Sequence, residues 1–135
     1  MFTLTVKDSF GAADTENFVF AQVGSGPNIT LQGTSGKDVI LATNGQDVLT
    51  GGAAQDQFVF APTSTGPSVQ HTITDFVTGT DKIDVRQFSS LSASAPPTEA
   101  QQGSNTLVTL DSHDTLLLTN ITATNLHASD FLLHV

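Results

Sequence analysis

Between residues 33 and 59 the sequence GTSGKDVILATNGQDVLTGGAAQDQFV repeats itself every nine residues. Asp38, Asp47 and Asp56 stand nine apart, each followed two places later by an apolar residue (Ile40, Leu49, Phe58). Two places before them lie Gly36, Gly45 and Ala54, and the units begin at Gly33, Ala42 and Gly51. Nine matches neither the seven- nor the eleven-residue seam of supercoiled helices, and each glycine would cost a helix about 1 kcal/mol. Six turn-forming residues followed by a short strand (V-I-L, V-L-T, Q-F-V) fit the unit instead. Short strands stacked at a fixed period form a solenoid.

The opening GTSGKD superficially matches the end of a phosphate-binding loop. Such a loop needs Ser or Thr after the lysine and a glycine five residues before the second glycine. Here Asp38 follows Lys37 and Leu31 stands in the glycine's place, so the charge and the spacing both exclude phosphate. A nucleic-acid partner is excluded as well. Four scattered bases (Lys7, Lys37, Lys82, Arg86) against thirteen acids give a net charge of −9 and no basic face. The absence of cysteine rules out disulfides and thiolate metal sites. No stretch approaches the ~20 apolar residues of a membrane helix. The N-terminus MFTLTVKDSF lacks the basic-then-apolar order of a signal peptide, so export is expected by another route.

The flanks also read as β. Residues 2–7 and 17–23 carry β-branched and aromatic residues around a turn-forming DSFGAADT. Apolar runs at 106–110 and 115–118 predict a hairpin across 111–114. Residues 89–105, rich in Ser, Ala, Pro and Gln, are expected to form a mobile excursion. One helical turn is expected within Ala123–Asp130, then a final strand over Phe131–Val135. The expected fold is all-β: a short parallel β-roll continuing into an antiparallel β C-terminal cap, with the roll at 25–61 and the cap at 62–135.

Each repeat places its Asp after a glycine-containing turn and before a strand, so stacking brings carboxylates together. At ~5 Å two carboxylates repel by roughly 1–3 kcal/mol, depending on the effective dielectric. A divalent cation between them reverses the sign. Calcium suits such a site, because it takes six to eight oxygens, backbone carbonyls included, in flexible geometry. Zinc lacks His or Cys in the repeats, and Mg²⁺ demands a tighter octahedron.

These units resemble the G-G-x-G-x-D-x-U-x nonapeptides of RTX proteins. The resemblance implies a calcium-binding β-roll in which each nonapeptide makes half a turn and Ca²⁺ lies between loops two repeats apart. By it, Asp38 and Asp56 share an ion, assisted by carbonyls around Gly33, Ser35, Gly36, Gly51 and Ala53. Asp47, with Asn44 in its turn, faces the other side and needs a later partner. HTITDFVTGTDKIDV (71–85) is similar to the D-F-x-x-G-x-D-x-I-D segment that follows such repeats. That similarity makes Asp75 and Asp81 ligands, with Ile73, Phe76 and Ile83 packed beneath and Asp84 as a further ligand or a polar cap. Ala42 and Ala54 depart from the family's glycines.

Residues 1–24 resemble the last two strands of an Ig-like or cadherin-like repeat. Yet ENFVFA (16–21) also echoes DQFVFA (56–61), which would make Glu16 a degenerate roll position. The terminal SDFLLHV is similar to the C-terminal signals of RTX proteins exported by type I secretion. That likeness implies an ABC-transporter partner, a secreted or cell-surface location, and folding by external calcium. No catalytic residues are expected: there is no H-E-x-x-H and no G-x-S-x-G. His113, between Ser112 and Asp114, reads as part of a turn. Three functions follow: a calcium-folded secretion module of a larger protein, an adhesive module binding a glycan or surface protein, or an accessory domain of a secreted protease or lipase.

Overall fold

The computed structural model describes residues 2–7, 13–20, 28–63 and 66–134, the first two stretches as backbone. Twelve strands are described: β1 (Phe2–Lys7), β2 (Ala13–Phe20), β3 (Thr30–Gln32), β4 (Asp38–Leu41), β5 (Val48–Thr50) and β6 (Gln57–Val59). They continue with β7 (Val69–Ile73), β8 (Lys82–Asp84), β9 (Thr98–Gln102), β10 (Asn105–Thr109), β11 (Asp114–Leu118) and β12 (Phe131–Leu132). They form two sheets, the first ordered β1-β2-β4-β6-β8-β12 and the second β3-β5-β7-β11-β10-β9.

From β3 to β8 successive strands alternate between the sheets, so nine residues make half a turn and the chain winds as a roll. The pairings β4·β6, β6·β8, β3·β5 and β5·β7 are all parallel. The apolar place of each repeat stacks on its equivalent. Ile40, Phe58, Ile83 and Phe131 are in register on the first sheet, as are Leu31, Leu49, Ile73 and Leu118 on the second. Ile40, Phe58, Ile83, Leu49, Ile73 and Leu118 are fully buried in one core, to which Phe60, Phe76, Val85 and Phe88 add. Three-residue strands can bury so completely because period-2 alternation sends one central side chain inward from each.

The roll continues past the expected boundary at 61. β7 and β8 add a further turn; β11 stacks parallel on β7 and β12 on β8. Beyond the roll, the antiparallel strands are β9-β10-β11, which include the expected hairpin. The excursion expected at 89–105 is instead partly strand. β9 (TEAQQ) is exposed along its whole length yet pairs with β10 residue for residue. Its Gln101 side chain ties it down, donating to the carbonyls of Gly103 and Asn105 and accepting from the Ala123 N–H. Composition signalled mobility because nothing apolar is needed to hold an edge strand; backbone hydrogen bonds suffice. Residues 123–130 form two short 3₁₀ turns.

At the N-terminus β1 and β2 form a hairpin, and β2 lies parallel to β4, extending the first sheet. Asn17 stands opposite Asp38 and Phe18 opposite Val39. The ENFVFA echo is therefore one residue out of step with the pairing, so Glu16 does not hold the aspartate position. The part of the expected 17–23 strand beyond Phe20 lies outside the described residues.

Ala54 adopts φ +73° in the third turn, a left-handed conformation that costs an L-residue roughly 1–2 kcal/mol. Ala42 shows no such φ and packs against the core. Of the two departures from glycine, only the one at 54 is strained. Ala54→Gly is expected to raise stability by about 0.5–1 kcal/mol after the added unfolded-state entropy, read as a higher urea midpoint with unchanged slope.

Candidate metal centre

One edge of the roll is formed by the turns that lead from the second sheet to the first: 33–37, 51–56 and 74–81. Asp38, Asp56 and Asp81 close these turns, each two residues before a core side chain of β4, β6 or β8 and each almost wholly buried. The amide of Asp38 donates to Asp56 Oδ1 at 2.9 Å, and the amide of Asp56 donates to Asp81 Oδ1 at 3.0 Å. The three carboxylates thus occupy consecutive rungs of one ladder. The first step spans 18 residues and the second 25, most of the additional length lying between β6 and β7.

Asp75 joins this group from the same loop. Its two oxygens accept from the amides of Gly51 and Gly52, both at 2.8 Å. Asp130 lies beyond the last rung, fully buried, accepting from the amides of Gly79 and His127. Among the described residues none of Asp38, Asp56, Asp75 and Asp81 makes an ion pair. Burial first, and then the charges of Asp81, Asp38 and Asp75, lift the Asp56 carboxyl from 3.8 to about 6. Asp81 is raised likewise, mainly by burial.

A cleft of about 140 Å³ opens at this edge, lined by Lys37, Asp38, Gln55, Asp56, Gln57 and Lys82 among others. Lys82 turns away, its Nζ donating to the Ser129 carbonyl at 2.7 Å. The turns themselves are stacked tightly. A Cβ at Gly33 would collide with the Gly51 carbonyl and lie 2.6 Å from Asp38 Oδ2, and one at Gly52 (φ +106°) would collide with the Thr34 carbonyl. Glycine is thus required where carbonyl oxygens of one turn face the backbone of the next.

This donor chemistry fits calcium: carboxylate and carbonyl oxygens, buried, with excess negative charge and no nitrogen or sulfur ligand. Among the described residues no three His, Asp or Glu side chains converge as a closed metal shell; two carboxylates with carbonyls do not require one. Pairs of carboxylates drawn from Asp38, Asp56, Asp75 and Asp81, together with turn carbonyls, would hold an ion, which would supply charge neutralisation between turns.

The other expected residues are placed differently. Ser35 is exposed in the first turn, Gly36 donates to Thr34 Oγ1 at 3.1 Å, and Ala53 donates to the Thr34 carbonyl. Asp84 is a polar cap: Arg86 grips it at 2.9 and 2.6 Å and Gln57 donates to it at 2.8 Å. Burial works to raise its carboxyl, but the Arg86 and Gln57 hydrogen bonds and the Arg86 charge hold it below the usual range. Asp47 lies on the opposite edge, where the equivalent position one full turn later is held by His71. The β5·β7 pairing sets Val48 against Thr72, which puts His71 beside Asp47. Asn44 lies on that edge too, in a separate cleft with Asn28, Gly45 and Thr63.

Thr34 and Thr43 were overlooked in the sequence. Each bonds through its amide and hydroxyl to the aspartate four residues on, Asp38 or Asp47. The signal was the shared T-x-G-x-D, a local side-chain turn of the kind Thr and Asp favour. Asp130 and Asp114 gave no such signal, because they reach their neighbours only through the return of β11 and β12. Ser112 Oγ and His113 Nδ1 do touch, at 3.0 Å, but in an exposed turn, while buried Asp114 accepts from the Thr63 amide instead.

The profile of the peptidase M10 serralysin C-terminal family matches residues 11–135. This chain belongs to that family. The match reaches well upstream of the repeats and takes in β2. The family is of the RTX type and constitutes the C-terminal, non-catalytic part of serralysin-type peptidases; its members are β-rolls for which calcium is expected. Among solved structures the chain is similar to the AlgE6R3 subunit of the Azotobacter vinelandii mannuronan C5-epimerase, at 21% identity and a TM-score of 0.39. That alignment covers 82% of this chain and 80% of the other. No curated protein matches.

The raised carboxyls predict a pH dependence for the metal-free protein. The folded-state value of Asp56, about 6, lies above the unfolded 3.8. Its contribution is therefore fully present below about pH 4 and lost as pH rises through about 6; Asp81 acts in the same direction. Asp84, with its lowered carboxyl, acts oppositely at lower pH, and His71, whose imidazole burial pushes below 6.5, acts oppositely within the same window. In chelator, lowering the pH from about 7.5 to about 5 is expected to favour the melting temperature of the native protein more than that of Asp56→Asn, which keeps His71 but lacks the raised carboxyl.

Proposed function

We propose that this chain is a non-catalytic module that folds on extracellular calcium and serves a larger secreted or surface protein. The observation that carries the reading is Asp56, buried among Asp38, Asp75 and Asp81, none of which makes an ion pair among the described residues although Lys37 and Lys82 line the cleft. Without a cation this edge opposes folding. With one, the same carboxylates draw successive turns together. A ligand that binds only the folded state adds RT ln(1 + [L]/Kd), about 2.7 kcal/mol at a hundredfold excess. Against a total stability of roughly 5–15 kcal/mol, one or two such ions decide whether the roll forms. Extracellular modules bind calcium in the ~0.1–1 mM class, so the cytosol would leave the chain unfolded and the exterior would fold it.

The C-terminal segment carries the export signal in this reading, and a type I ABC transporter is its partner. The acidic-then-apolar SDFLLHV supports this. So does the place of β12 in the first sheet: folding would sequester the signal, and a calcium-poor compartment would keep it accessible. The family's position behind a peptidase favours a catalytic part elsewhere in the full protein, with this module as its accessory.

Circular dichroism of the chelated chain, titrated with calcium against a magnesium control, tests the reading. A gain in β signal and melting temperature specific to calcium is expected; a chain equally folded and equally stable without it would overturn the proposal. Asp56→Asn is expected to remove most of the calcium-induced rise while leaving the chelated form no less stable, since it deletes a repulsion. Loss of stability in both forms would instead mark Asp56 as a structural cap.

A further inference from the structure

The two edges of the roll share one backbone plan and differ in side chains. Along the first, the position that precedes each strand's core residue by two carries Asp38, Asp56 and Asp81 in succession. Along the second, the equivalent positions are Ile29, Asp47 and His71, fixed by the pairings Thr30 with Val48 and Val48 with Thr72. The Ile29 amide donates to Asp47 Oδ1 at 3.2 Å, repeating the ladder bond of the first edge. Above Asp47, however, stands an imidazole.

His71 is held firmly there. It is 1% exposed, its ring lies 5.1 Å from that of Phe60, and its Nδ1 sits 3.5 Å from Asp47 Oδ2 without a hydrogen-bond partner. Calcium prefers oxygen donors, and an imidazole nitrogen suits transition metals instead. Close by, Thr63 donates its amide to Asp114 Oδ2 at 2.7 Å, and both Asp114 Oδ1 and Thr63 Oγ1 are buried without partners among the described residues. Oxygens, the Asp114 carboxylate among them, are thus already gathered at this edge, while the rung above Asp47 carries an imidazole in place of a carboxylate.

We infer that His71 closes the second edge to calcium, so that ions bind along the first edge alone, and that a carboxylate at position 71 would open a further site. The residue acts as a selector: it sets how many ions the roll takes and on which side. The inference rests on the calcium reading above.

The test is the number of calcium ions bound per chain, by equilibrium dialysis, for the native protein, Asp47→Asn, His71→Asp and the double variant. Asp47→Asn is expected to bind as many ions as the native chain, His71→Asp one more, and the double variant to lose that gain. Loss of an ion in Asp47→Asn overturns the inference, as does a folded His71→Asp that binds no extra ion. Should His71→Asp fail to fold, the Asp47→Asn count alone decides. A native chain that binds no calcium defeats the underlying calcium reading, whereas native binding with unchanged His71→Asp stoichiometry defeats only the role of His71.

Discussion

Like charges on consecutive rungs govern this molecule. Parallel pairing of β4, β6 and β8 leaves no choice about where Asp38, Asp56 and Asp81 go, because the register that buries Ile40, Phe58 and Ile83 also aligns the residues two places earlier. Slipping the register by one residue would relieve the repulsion but turn the whole apolar set to solvent. Hydrophobic burial and electrostatic repulsion are thereby locked to the same pairing, and among the described residues backbone amides and the Thr34 hydroxyl, not cationic groups, bond to these carboxylates. A cation that bridges neighbouring turns resolves the conflict without moving a strand.

The roll was largely legible in the sequence because period, turn residues and apolar position all recur within nine residues. The strands V-I-L, V-L-T and Q-F-V lie within β4 to β6, and Ile73, Phe76 and Ile83 lie in the core as the downstream segment implied. What escaped depends on long-range return. Asp130 meets the amide of Gly79, 51 residues away, and Asp114 meets that of Thr63, also 51 away; no local pattern announces either. His71 was invisible for another reason. Its position follows from six additional residues between β6 and β7, which disrupt the nine-residue count and hide the alignment with Asp47. The strand at 98–102 was missed because edge strands need no apolar content.

The local contacts around each aspartate also differ from turn to turn. In the first two repeats a threonine hydroxyl and amide share the carboxylate's hydrogen bonds. In the third, glycine stands at that place, and Asp75 takes the turn's amides instead. Asp56 is therefore the rung with the least local support and the most carboxylate neighbours. Both circumstances concentrate the cation dependence at the middle of the ladder.

Half a turn per nonapeptide restricts how such a protein can change length. Insertion or loss of one nine-residue unit would deliver every downstream strand to the opposite sheet, exchanging the carboxylate-lined edge for the one that carries His71 and breaking the pairing of β11 and β12. Insertion of a pair of units, equal to the 18-residue step that separates Asp38 from Asp56, preserves the sides. Gene duplication within this family is thus expected to leave lineages whose rolls differ by pairs of repeats, with single-unit changes removed because they scramble the downstream half.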